Sequence, residues 1–149
     1  MGEPNEIKIS YRHNKDKKNT PSINSSETAF AILFSTWDLD EIGLQETFKV
    51  IYLDNSNNVK GIVNHSKGGI TCSQLDIRII MATALKSLSV AIILAHNHPS
   101  GSLKPSKADI LITEKIVAAA AYFDINILDH IIVSPEKKYF SFKDCGLLD

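Results

Sequence analysis

The chain has 149 residues, of which 44% are apolar and 22% charged, and a formal net charge of −1 at pH 7. These values suit one domain with one sizeable core, and they exclude a disordered polyelectrolyte or a chain drawn as a whole to nucleic acid or anionic lipid by its charge. The two cysteines, Cys72 and Cys145, lie far apart with no CxxC pair, which excludes a disulfide framework and a cysteine zinc site and leaves reduced thiols.

Residues 1–25 form a polar lead. Glu3, Pro4, Asn5, Glu6 and Lys8 occupy the place of a signal peptide's apolar core, and the longest clean apolar runs, such as Val90 to Ala95, are far short of a membrane span. The expectation is a cytoplasmic protein with no membrane segment. Ile7, Ile9 and Tyr11 alternate with Lys8, Ser10 and Arg12, which predicts a short edge strand. The basic residues Arg12, Lys15, Lys17 and Lys18, interrupted by Asp16, read as a solvated linker rather than a nucleic-acid patch, and His13 as solvent-exposed.

Residues 26–149 carry the domain. Ser25-Ser26-Glu27 opens a helix that presents Phe30, Leu33, Phe34 and Trp37 to a core. Glu46 to Leu53 alternates Phe48, Val50 and Tyr52 with more polar partners, residues 54–58 turn, and Val59 to Asn64 returns as the second strand of a hairpin. His65-Ser66-Lys67-Gly68-Gly69 reads as a connection, with none of the GxxxxGK[ST] pattern of a phosphate loop. Asp76 to Leu88 is an amphipathic helix carrying Ile77, Ile80, Met81, Ala84, Leu85 and Leu88. Val90 to Ala95 is apolar on both faces, hence a central strand. Ser106 to Phe123 is the longest helix, its Ala118 to Ala121 permitting a close approach to the sheet. Asn126 to Val133 is a further buried strand, and Lys138 to Phe142 closes a last hairpin. Helices alternating with strand pairs predict an α/β domain, three-layered, with a central mixed sheet flanked by helices.

The chemistry concentrates at the exit of Ala91 to Ala95. Side chains two apart on an extended chain point to one side, so His96 and His98 can converge. Pro99, Gly101 and Pro105 force the chain to turn, and Ser106 three residues ahead of Asp109 marks a helix start with Ser106 as N-cap. The turn could thus bring the Asp109 carboxylate back to two imidazoles. Two His and one carboxylate with one position open is the ligand set of a catalytic zinc rather than a closed structural one, and the ligand types favour zinc over iron or manganese. As a capping residue Ser106 also keeps an O–H to offer an oxyanion.

The pattern His96-x-His98, seven residues, Ser106, two residues, Asp109 resembles the JAMM motif of the MPN (JAB) metallopeptidase superfamily. The wording H-N-H-P-S-G, P-S-x-x-D, L-D-H-I-I and Y-F-S-F resembles the RadC-like branch in particular, over roughly Ser25 to Asp149. The resemblance implies an MPN (JAB)-type, cytidine-deaminase-like fold. It implies also that His96, His98 and Asp109 hold Zn²⁺, that Glu46, on an early strand in Q-E-T-F-K-V-I-Y-L, handles protons, and that Ser106 supports the tetrahedral intermediate. Longer RadC-like proteins carry an N-terminal helical half resembling helix-hairpin-helix DNA-binding units, where this sequence has the polar lead.

The expected activity is that of a zinc metallopeptidase or isopeptidase acting on a peptide or protein-conjugate substrate. The alternative is a DNA-repair-associated module that binds nucleic acid or a partner, for which the sequence offers few basic residues. A metal-free partner-binding scaffold is a third reading. The Ile7 to Tyr11 strand and the ending Tyr139 to Leu148 are each able to support a homodimer. Asp129 and His130 are read as buried groups satisfying each other or nearby backbone rather than as a pair orienting a ligand, His65 as edging the cleft, and Cys72 as inert.

Overall fold

A computed structural model describes residues 5–6, 12, 20–68 and 75–149. The expected strand Ile7 to Tyr11, His13, the lysines of the polar lead and Cys72 lie outside the described residues.

The sheet starts from a turn made by one side chain. The Asp54 carboxylate accepts the Ser56 and Asn58 backbone N–H groups at 2.8 and 2.9 Å, and Asn57 takes a left-handed φ of 58°. That closes the hairpin of β1 (Thr47–Leu53) and β2 (Val59–Lys67). Beyond α2 (Ile77–Lys86), β3 (Ala91–Asn97) pairs antiparallel with β1. From β3 the chain climbs through α3 (Lys107–Ala121) and returns as β4 (Asn126–Val133), parallel to β3, before β5 (Tyr139–Ser141) closes the far edge. The order is β2-β1-β3-β4-β5, a mixed five-stranded sheet. Helix α1 (Ser26–Phe34) starts at the N-cap Ser25, whose hydroxyl accepts the Thr28 N–H.

The predicted three layers are present. On one face α2 and α3 pack Ile80, Met81, Ala84, Ile112, Ile116 and Ala120 onto Phe48, Val50, Ile92 and Leu94. On the other, Phe30, Leu33 and Trp37 cover Ile51, Leu53, Ile93 and Ile131. Each fully buried branched side chain here contributes about 1.5–3 kcal/mol relative to exposure. Among the described residues, no helix is long and apolar enough to cross a membrane.

Four expectations need correction. β1 is buried at every position rather than on one face, because α1 and its following turn cover the side of Lys49 and Ile51. Lys49 itself is only 3% exposed. Its ammonium donates to the Thr36 carbonyl at 2.7 Å and lies 4.5 Å above the Trp37 ring, and burial pushes its pKa down. His65 to Lys67 belong to β2, since the ladder with Phe48 and Thr47 continues through them. Trp37 lies beyond the end of α1 yet is buried, and Leu85 and Leu88 point outward at 44% and 73% exposure.

Candidate metal centre

The centre lies where β3 leaves the sheet. His96 sits opposite Phe48 in the β1 ladder, on the face covered by α3, and two-residue alternation puts His98 on that side too. The His98 N–H donates to the Val133 carbonyl at 2.9 Å, so the sheet still holds the backbone one step past β3. Gly101 then turns with φ 79°, its N–H donating to the His98 carbonyl at 2.9 Å. A Cβ at Gly101 would stand 2.9 Å from the Glu136 carboxylate, so this turn needs glycine for space as well as for its dihedral. A capping box follows. The Ser106 hydroxyl accepts the Asp109 N–H at 3.1 Å, and Asp109 Oδ2 accepts the Ser106 N–H at 2.7 Å. This fixes the carboxylate on the first turn of α3, facing the imidazoles.

The three side chains meet. His96 Nε2 lies 2.9 Å from His98 Nε2 and 3.3 Å from Asp109 Oδ1, and His98 Nε2 lies 3.5 Å from Asp109 Oδ2. His96 and Asp109 are 0% and 2% exposed, while His98, at 9%, is the most open of the three.

The hydrogen bonds around them fix which nitrogens carry protons. The Thr113 hydroxyl donates to the Asp109 carbonyl at 2.6 Å, so toward His130 Nδ1, also at 2.6 Å, its oxygen can only accept. His130 Nδ1 is therefore the donor. Burial above all, and then the charge of His96, holds the His130 pKa well below the usual imidazole value, so the ring is neutral and its Nε2 accepts. That Nε2 lies 2.8 Å from His96 Nδ1, which must donate. His98 Nδ1 likewise donates to the Ser102 carbonyl at 2.7 Å. With Nδ1 donating on both rings, Nε2 is the atom that each imidazole turns to the same point as a carboxylate.

Three acceptors facing one another in a buried site call for a cation. A proton serves in part. For Asp109 burial acts upward, but the hydrogen bonds from His96 and His98 outweigh it and hold the carboxyl well below its ordinary range. The bond with Asp109 raises the His98 pKa against the opposing effect of burial. A metal ion serves fully. One ligand atom from each residue lies within 4.8 Å of the others, and the shortest separations bracket the edge of about 3.3 Å expected for a tetrahedron with zinc bonds of about 2.05 Å. The residues therefore fit a metal ion.

Glu46 immediately precedes β1. It is half-buried, shares the sheet face of Phe48 by alternation, and has its carbonyl bound by the Gly68 N–H at 2.8 Å. Its negative charge is among the influences that raise the His98 pKa. Ser106 is exposed, and because its oxygen accepts the cap bond its O–H is left to donate.

His130 is the residue that sequence reasoning undervalued. Asp129 satisfies nearby groups as expected, accepting from Ser141 Oγ at 2.6 Å and from the His130 and Lys143 N–H groups at 2.7 and 3.0 Å. The His130 ring instead turns to His96 and Thr113. The available signal was parity, since His130 stands opposite Leu94 in the parallel ladder and so shares the face of His96. His65 pairs with the Tyr52 hydroxyl at 2.7 Å and is not part of the cluster.

Comparison with known proteins agrees with this architecture. The profile of the family described as RadC-like JAB domain matches residues 23–147. A UPF0758 protein of Flavobacterium johnsoniae is 43% identical over 125 residues, 84% of this chain and 53% of its own length. A UPF0758 protein of Porphyromonas gingivalis is 42% identical over 70% of this chain and 46% of its own length. The UPF0758 protein YeeS of Escherichia coli is 42% identical over 111 residues, 74% of both chains. The chain thus spans about half the length of the first two relatives.

Proposed function

Since the chain belongs to the RadC-like JAB domain family, we propose that it is a zinc-dependent hydrolase of amide bonds, acting on peptide or isopeptide linkages. The observation that carries this reading is the convergence of two imidazole Nε2 atoms and a carboxylate at the end of β3.

His96, His98 and Asp109 would hold the ion and leave a position for solvent or substrate. Bound there, zinc supplies Lewis acidity that activates water and polarises a carbonyl. Glu46 takes a proton from the attacking water as the new C–O bond forms, and returns it to the amine nitrogen as the C–N bond breaks. Ser106 donates its O–H to the carbonyl oxygen as charge collects there, a contribution of about 3 kcal/mol if it acts as other such donors do. Asp109 has a double duty, since the carboxylate that binds metal also caps α3 through the Ser106 N–H.

The test is the metal content of protein purified without chelators or added metal, beside Asp109→Ala, followed by assay on peptide and isopeptide substrates. About one zinc per chain, lost in the variant, with cleavage by the wild type alone is the expected result. No metal in the wild type and no uptake on adding zinc would overturn the reading.

A further inference from the structure

Between the two imidazoles stands Asn97, whose side chain points through to the opposite face of the sheet. It is 0% exposed, and its amide uses its full bonding capacity. Nδ2 donates to the Ile42 carbonyl at 2.7 Å and to the Gln45 carbonyl at 2.9 Å. Oδ1 accepts the Thr47 N–H at 2.7 Å and the Trp37 indole N–H at 3.3 Å.

Three of the four bonds go to the connection from α1 to β1, residues 35–46, which belongs to no strand of the described sheet, and the fourth to Thr47, the first residue of β1. Two of them land on the residues either side of Glu46. We propose that Asn97 is a positioning residue for Glu46: it locks the Gln45 carbonyl and the Thr47 N–H to β3 and so holds the proton carrier in register with the two imidazoles that flank Asn97 in sequence. The inference rests on the role proposed above for Glu46. One tripeptide, His96-Asn97-His98, then sets both metal ligands on one face and the base from the other. A buried asparagine that merely satisfied its surroundings would have no reason to confine its bonds to residues 37–47.

The experiment compares full-length wild type with Asn97→Ala and Asn97→Asp. The aspartate keeps the acceptor for Thr47 and Trp37 but sets an oxygen against the Ile42 and Gln45 carbonyls. Amide hydrogen exchange on the metal-free proteins should quicken at least about tenfold at Thr47 and Gly68 and over residues 41–46 in Asn97→Ala, while amides of β3 and β4 keep their protection. With Co²⁺ as the probe, the paramagnetic effect on the Glu46 carboxyl carbon should fall by about half or more, while Co²⁺ affinity stays within about threefold of wild type. Asn97→Asp should show the exchange change chiefly over 41–46 and is read in place of Asn97→Ala if the latter does not fold. Unchanged exchange around Glu46 would overturn the proposal. So would an even loss of protection through β3 and β4, or failure of both variants to fold, either of which would make Asn97 a core residue alone. If Co²⁺ does not bind wild type, the metal-centre reading fails, and the exchange data still decide whether Asn97 clamps the chain around Glu46.

Discussion

His130 Nε2 lies 2.8 Å from His96 Nδ1, and the two fully buried imidazoles cross at 60° with their centroids 4.8 Å apart. The bond ties a residue of β4 to a metal-ligand candidate of β3, and Thr113 of α3 holds its far side. Phe142 stacks on His130 at 4.7 Å, so His130→Phe keeps an aromatic ring in that place while removing the acceptor for His96. Metal affinity should fall about 10- to 100-fold in this variant. A competition titration against a chromophoric chelator measures it, and equal affinities would show that His130 does not tune the site.

Glu46→Gln should leave metal content unchanged and lower turnover by about 10²–10⁴, because in the proposed mechanism the carboxylate moves protons without binding the ion. The assay is steady-state cleavage of whichever peptide or isopeptide substrate the wild type accepts. Normal turnover would remove Glu46 from the mechanism.

Asp109→Ala and Asp109→Asn should differ in a way that separates its two duties. Both should lose metal. Only the alanine loses the acceptor for the Ser106 N–H, and it should cost the metal-free protein about 1 kcal/mol more than the asparagine. Urea denaturation of the chelated proteins gives the difference, and two equal midpoints would mean that the Asp109 half of the capping box contributes nothing.

The metal-free protein should be most stable near about pH 6.5–7. His130 and His65 have folded pKa values lowered by burial, for His130 with the charge of His96 adding to it. Below the unfolded imidazole value of about 6.5 the unfolded chain binds protons that these folded rings refuse, and stability falls with falling pH. The folded His98 pKa is raised by its bond to Asp109, so its contribution is complete below about 6.5 and is lost as pH climbs through the raised folded value. Asp109, held low, contributes throughout this window. Denaturation of chelated protein from pH 5.5 to 8.5 should trace a maximum, and zinc should abolish the alkaline limb by taking the place of the His98 proton. A steady rise across the range would contradict the His98 contribution.

Much of the centre was legible because its grammar is local. His96 and His98 are related by strand alternation, and Ser106 and Asp109 by the first turn of a helix, so neither relation needs knowledge of distant chain. His130 was not legible in that way. It meets His96 only through the register of β3 against β4, and a slip of one residue would turn its ring to the α1 face. Lys49 and Trp37 misled for a related reason. A lysine in an alternating run reads as solvent-facing, and a tryptophan in helical phase as part of the helix. The turn after α1 instead folds Trp37 under the Lys49 ammonium and supplies the Thr36 carbonyl as its acceptor. The three layers followed from the order of periodic segments. The full burial of β1 followed from tertiary cover that periodicity does not encode.

The parallel pairing of β3 with β4 has a consequence for assembly. Glu46 leaves the ribosome first, the ligand stretch 96–109 next, and His130 last, after all of α3. A metal chelated by three side chains on one short stretch closes a small loop at little entropic cost, so under the proposed function the nascent chain could take up an ion before β4 exists. An ion held there would lack the support of the His96–His130 bond until β4 docks. Slow metal release would then be a property of the finished fold, and a truncated chain that stops short of β4 would chelate and lose a metal readily.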